Sequence, residues 1–183
     1  MKMAKKLLAV VLTGVMAVSM LTGCASVSSR QVADELQGML KAVNDKATVK
    51  AVDANLANEA VKAAKNTDGT LKTGDTLKND VKTALSKNNN DKYVWYTYVE
   101  TKDLNKTTKA QKIAKELITI ENQSAKINTA GAVNSADVKV GDKSGDAIKA
   151  GNKFELSMKP FTVGGTDYVM FVVTCKAQVK AAG

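Results

Sequence analysis

The apolar residues of this chain change their period at Lys92, and that change limits the folds open to it more than any other feature. Before Lys92 they recur three and four apart, the spacing of one helix face. Residues 30–44 carry Val32, Leu36, Met39, Leu40 and Val43 in such a stripe. Residues 49–65 carry Val49, Val52, Leu56, Ala60 and Ala63, and residues 75–87 carry Leu77, Val81, Ala84 and Leu85, with Asp75 suited to an N-cap. Asn66-Thr67-Asp68-Gly69 and Asn88-Asn89-Asn90-Asp91 break the pattern. Beyond Lys92, residues 93–99 (Tyr-Val-Trp-Tyr-Thr-Tyr-Val) are aromatic and β-branched and predict a strand. Residues 107–120 return to helix, with Ala110, Ile113, Ala114, Leu117 and Ile120 on one face. Residues 130–151 are rich in Gly, Asp and Ser and show no period beyond a short strand at 138–140. Residues 153–162 and 167–179 form the strongest strand pair. In the second, Val169, Phe171, Val173, Cys175, Ala177 and Val179 alternate with Tyr168, Met170, Val172, Thr174, Lys176 and Gln178. Gly164-Gly165 supplies the turn of a hairpin, and Pro160 predicts an edge position in its strand.

These elements predict an α+β fold in which N-terminal helices pack with a small antiparallel β-sheet, on one of its faces. Residues 30–183 read as a single α+β domain, helical over 30–90 and mixed over 92–180. Three short helices with alanine-rich stripes would bury little by themselves, which favours docking onto the sheet.

The first 23 residues belong to no fold. Lys2, Lys5 and Lys6 make a positive start, residues 7–20 carry no charge, and Leu21-Thr22-Gly23-Cys24 ends the run in small residues. This is the plan of a secretory signal. A permanent span needs roughly 20 apolar residues, more than this run supplies. Leu21-Thr22-Gly23-Cys24, placed directly after the apolar run, resembles the lipobox of bacterial lipoproteins. The resemblance covers only the signal region. It implies cleavage between Gly23 and Cys24, a diacylglyceryl group on the Cys24 thiol, and Cys24 as the first residue of the mature chain. The alternative is an ordinary signal with an incidental cysteine. Residues 24–29 would form a short lipidated tether, holding the domain close to the extracytoplasmic face of the cell membrane. In a two-membrane host, Ala25 after the cysteine is compatible with delivery to the outer membrane.

Charge and residue usage then bound the chemistry. The formal charge is +9, part of it in the signal. Arg30 is the only arginine, and arginine is the favoured residue for bidentate phosphate recognition, so nucleic acid is not expected as a partner. The lysines predict a solvated surface, with attraction to anionic lipid or wall polymer as the alternative. With Cys24 lipidated, Cys175 has no partner for a disulfide and reads as a small core residue. There is no histidine. That removes Ser-His-Asp and Cys-His catalysis and histidine metal sites. No Walker loop, S-x-x-K or G-x-G-x-x-G is present. No catalytic residue, cofactor or metal ligand set is assigned.

Three constellations remain. Residues 64–75 resemble a degenerate calcium loop of the EF-hand type, with Asn66, Asp68, Gly69 and Asp75 at ligand and turn positions. Ala64 offers no oxygen at the first position, and a plain helix–turn–helix corner needs the same residues. The aromatic strand holds half of the chain's Trp, Tyr and Phe residues. Tyr93 and Trp95 point one way and Tyr96 and Tyr98 the other, which predicts core packing on both faces; the alternative is an exposed platform for a sugar or peptide. Lys106, Lys109, Lys112 and Lys115 make a broad basic helix face, solvated or turned toward a membrane. The expectation is a lipid-anchored, non-catalytic binding or interaction module of the cell envelope with an unknown protein partner. The alternatives are an envelope enzyme using carboxylate or lysine chemistry, for example on wall glycans, and a small solute-binding lipoprotein.

Overall fold

Strands β7 (Ile148–Val163) and β8 (Thr166–Val179) form a long antiparallel hairpin at the centre of the main sheet. The computed structural model describes residues 27–87, 89–102 and 104–181. The apolar run 7–20 and the predicted cleavage and lipid-attachment residues, Gly23 and Cys24, lie outside the described residues. The hairpin turns through Gly164 and Gly165 at φ 57° and 80°, the left-handed pair that a two-residue loop demands and that side-chain-bearing residues resist.

Both alternating sets of β8 are apolar, so both of its faces are buried. Val169, Phe171, Val173 and Cys175 point into one core; Met170 and Val172 point into another. The first core is closed by α1 (Ser29–Lys41) and α4 (Lys106–Leu117). The second is closed by α2 (Asn55–Ala64) and α3 (Gly74–Ser86). Strand β2 (Lys92–Glu100) pairs antiparallel with β8, and β1 (Thr48–Ala51) pairs parallel with β7, giving the order β1-β7-β8-β2. The fold is α+β, with the helices mostly ahead of a mixed sheet. Two small antiparallel ladders complete it, β3 (Ile118–Glu121) with β4 (Ser124–Ile127) and β5 (Lys139–Val140) with β6 (Lys143–Ser144).

Several expectations require correction. Helices cover both faces of the sheet, not one. A strand buried on a single face would alternate apolar with polar, whereas β8 is apolar at both phases. Residues 49–65 are not one helix: Thr48–Ala51 is a strand, with Val49 in the first core and the Val52 amide bonded to the Leu156 carbonyl at 2.9 Å. Pairing with β7 overrides the helical spacing, and the buried face of α2 becomes Ala57, Ala60, Val61 and Ala64. The helix predicted over 107–120 stops at Leu117. Ile120 lies in β3, 49% exposed, because Asn122 and Gln123 turn the chain at φ 48° and 65° into a hairpin. β7 starts at Ile148 and bulges between Ala150 and Phe154. Thr73, not Asp75, holds the N-cap position of α3. Pro160 behaves as an edge residue inside a central strand, since β1 ends opposite Leu156 and leaves β7 without a neighbour there.

Two helix starts show how the sheet and the sequence share the work. Ser28 caps α1: its hydroxyl accepts from the Gln31 amide at 3.2 Å while the Gln31 side chain accepts from the Ser28 amide at 3.1 Å, a reciprocal capping box. Val27, within the stretch predicted as tether, packs against the first core. Helix α2 has Ala54 at its N-cap and no capping side chain of its own. Ser157 of β7 replaces it. Its hydroxyl accepts from the Ala57 amide at 3.1 Å and donates to the Asp53 carbonyl at 2.7 Å. Ser157→Ala would leave the buried Ala57 amide and the part-buried Asp53 carbonyl without this partner and lower stability by about 1–3 kcal/mol. Chemical denaturation of the variant checks this, and a loss below about 0.5 kcal/mol would show that the hydroxyl is not what holds α2.

Candidate functional site

Strand β2 ends the sheet, and its free edge is treated in two different ways along its length. The inner edge pairs with β8 without interruption from Lys92 to Glu100. On the outer edge the Val94 amide donates to Asn134 Oδ1 at 3.0 Å, and the Val94 carbonyl accepts from the Val133 amide at 2.8 Å. Asn134 is 1% exposed. Its Nδ2 donates to the Lys92 and Asn89 carbonyls at 2.8 and 3.1 Å. One side chain thus stands in for a neighbouring strand. Two residues on, the cover stops. Backbone groups alternate sides along a strand, so the amides and carbonyls of Tyr96 and Tyr98 point outward with Val94. They make no hydrogen bond among the described residues.

That open edge borders a groove. Helix α4 returns alongside β2, and a cleft of about 740 Å³ lies between them, lined by Thr97, Tyr98 and Glu100 of the strand and Lys112, Lys115 and Glu116 of the helix. Lys102 and Leu104 also line it. Lys112, Lys115, Glu116 and Glu100 join none of the ion pairs formed among the described residues. Burial, the adjacent Tyr98 and the Glu116 carboxylate raise the pKa of the Tyr96 phenol above its ordinary value.

The aromatic strand divides as its alternation predicts. Tyr93 and Trp95 are in the first core, Trp95 with ring centroids 5.9 Å from Tyr93 and 6.3 Å from Phe154. The indole donates to the Asn128 carbonyl at 2.8 Å. Tyr96 and Tyr98 are only half-buried against the second core. Tyr98 meets Tyr168 edge-on at 6.0 Å, Tyr168 stacks on Phe161 at 5.4 Å, and the Lys65 ammonium sits 5.5 Å from the Phe161 ring centre. A partly exposed aromatic row thus crosses β2, β8 and β7 near the hairpin turn.

The other predicted sites look different in three dimensions. The basic face of α4 is broken. Lys106 pairs with Glu35 of α1 at 3.3 Å. Lys109 is 6% exposed, and burial lowers its pKa. Only Lys112 and Lys115 remain, both on the groove. The 64–75 segment is a tight corner: the Asp68 carboxylate accepts from the Thr70 amide and hydroxyl at 2.9 and 2.7 Å. Asp75 is 91% exposed beside Lys78. The Lys72 ammonium sits in the corner, donating to the Ala63 carbonyl at 2.9 Å and pairing with Asp80 at 2.7 Å, so a side-chain cation serves the C-terminal end of α2. Among the described residues no three Cys, Asp or Glu side chains gather. Cys175 is buried between Tyr93 and Phe154, its register partners on the two neighbouring strands. Sequence reasoning missed Asn134, which lies in a stretch without period; it singled out Lys112 and Lys115 as part of a helix face, but not the groove, which joins residues from two elements.

No protein-family model, no curated protein and no solved structure matches this chain.

The burial pattern makes two measurable predictions. Trp95→Ala opens the first core and should cost about 3–5 kcal/mol. Tyr98→Ala should cost clearly less and leave a folded protein by circular dichroism; equal losses would place Tyr98 in the core. For Cys175, burial raises the thiol from its ordinary 9.0 to about 12. The unfolded chain ionises first, so the thiol's contribution to stability is intact below pH 9 and is lost as pH rises toward 12. Cys175→Ala should lack that part of the alkaline slope, and iodoacetamide should spare Cys175 in the folded protein at neutral pH while labelling it in denaturant.

Proposed function

We propose that the protein is a lipid-anchored, extracytoplasmic binding module of the cell envelope that holds a partner at the open edge of β2 and performs no chemistry on it. The observation that carries this reading is the contrast along one strand edge. Natural sheets cover or blunt their free edges. Here the first half is sealed by a buried asparagine, and the second half is left open beside a groove with unpaired charges. Half-exposed tyrosines on the opposite side of the strand add the amphipathic surface that binding sites favour.

The anchor rests on the lipobox-like Leu21-Thr22-Gly23-Cys24. With Val27 already packed on the core, Cys24 to Ser26 make a leash of roughly 10 Å. The module would ride on the membrane, where two acyl chains give stable attachment. No helix of the described residues is long and apolar enough to cross a membrane. A second reading, an envelope enzyme, draws on Glu100 and Glu116 sharing the groove, since paired carboxylates serve glycan cleavage. Both are exposed, and burial is the usual means of holding one such acid protonated.

The test has two arms. Cys24→Ser should move the protein from the membrane fraction to the soluble fraction, and mass spectrometry should find diacylglyceryl-cysteine as the first residue of the native chain. A photo-crosslinking side chain at position 98 should capture one envelope component, identified by mass spectrometry, and lose it in Lys112→Glu. Crosslinks to bulk lipid alone, or none, would remove the binding-module reading.

A further inference from the structure

Building on the binding-module reading, we infer that the open edge of β2 takes up an extended polypeptide as an added strand, with acidic side chains turned toward α4 and apolar ones toward Tyr96 and Tyr98. The outward amides and carbonyls of Tyr96 and Tyr98 recur every second residue, about 6.8 Å apart. A polypeptide strand offers donors and acceptors at that same repeat, and adding one to a sheet edge is an established mode of peptide capture. An anionic polymer or lipid headgroup does not present donors and acceptors alternating at that repeat.

The length is set at both ends. Asn134 and Val133 already occupy the edge at Val94, so the added strand stops there. Toward the other end β2 itself finishes at Glu100. Only a short segment fits between them.

Its side-chain pattern is dictated by the two faces. In paired strands, residues directly opposite one another share a face. Residues opposite Tyr96 and Tyr98 therefore lie beside the phenol rings and the second core, an apolar setting. Residues opposite Thr97 point at the α4 side of the groove, where Lys112 and Lys115, with Lys102, outnumber Glu100 and Glu116, and where none of these five joins an ion pair among the described residues. Acids are favoured there. A second copy of this chain fits poorly, because a two-fold contact along β2 would bring the same two lysines of each copy together.

Amide hydrogen exchange on the full chain in detergent micelles tests this, using a short peptide alternating aspartate with valine and a counterpart alternating lysine with valine. The aspartate peptide should slow exchange at the Tyr96 and Tyr98 amides about tenfold or more while leaving Val94, already bonded, unchanged. The lysine peptide should not, and Lys112→Glu combined with Lys115→Glu should reverse the preference. Added salt should weaken the selectivity. Equal protection by both peptides would mean an unselective edge. Protection that rises with protein concentration alone would mean self-pairing. Polyphosphate that perturbs Lys112 and Lys115 without protecting either amide, with neither peptide protecting them, would mean an anion surface. Each of these overturns the inference. If neither peptide protects the edge but a side chain at position 98 still crosslinks a glycan or one specific lipid, the binding-module reading stands and the strand does not; if the crosslink is also absent, both fall.

Discussion

The β7–β8 hairpin is the constraint on which the fold depends. Its two strands are paired along most of their length, and β8 is apolar at both alternating phases. A strand of that kind can be desolvated only if both sides are covered. The two helix layers answer that need, α1 and α4 on one side and α2 and α3 on the other. The helices are in turn unable to stand alone, since α2 contributes mostly alanine to its buried face and borrows its N-cap from Ser157 on β7. Sheet and helices are each incomplete without the other, which is the mutual support expected of a sequence with one favoured structure.

The same arrangement leaves β2 as a long outer strand, and this is where the molecule departs from economy of design. An unpaired edge invites association. Asn134 shows that the chain can cover it: a single buried amide side chain satisfies three backbone groups on β2 and the preceding turn. The cover ends before Tyr96. From Tyr96 onward the strand is bordered on one face by the Lys112–Lys115 side of α4 and on the other by half-buried tyrosines, two surroundings of opposite chemistry within reach of one strand. The lipid anchor proposed at Cys24, three residues before Val27 in the sequence, would keep this edge near the bilayer.

Much of this was legible in the chain itself, and the failures have physical causes. The α+β class, the hairpin at Gly164-Gly165, the buried faces of α1, α3 and α4, and the split of Tyr93 and Trp95 from Tyr96 and Tyr98 follow from periodicity. The two-sided cover of the sheet was also present in the residues, because Met170 and Val172 alternate with Phe171 and Val173; reading the helices onto one face overlooked it. Thr48–Ala51 was not legible. Four residues with helical neighbours become a strand only because β7 offers them a ladder. The end of α4 at Leu117 likewise depends on a turn at Asn122 and Gln123 that carries no glycine. Lys109 looked like part of a basic face, yet contact with the rest of the structure removes it from solvent.

Sequence by itself determined the elements whose reasons are local. These are the helix stripes, the strand alternation and the turn glycines. Each rests on backbone preference or on the period at which a face repeats, and both act within a few residues. Only the tertiary structure decided which helix covers which face, that Ser157 caps α2, and that Asn134 seals one half of the β2 edge while the other half opens on Lys112 and Lys115. Those outcomes join residues dozens of positions apart. Hydrogen-bonding groups find such partners only once the chain has folded.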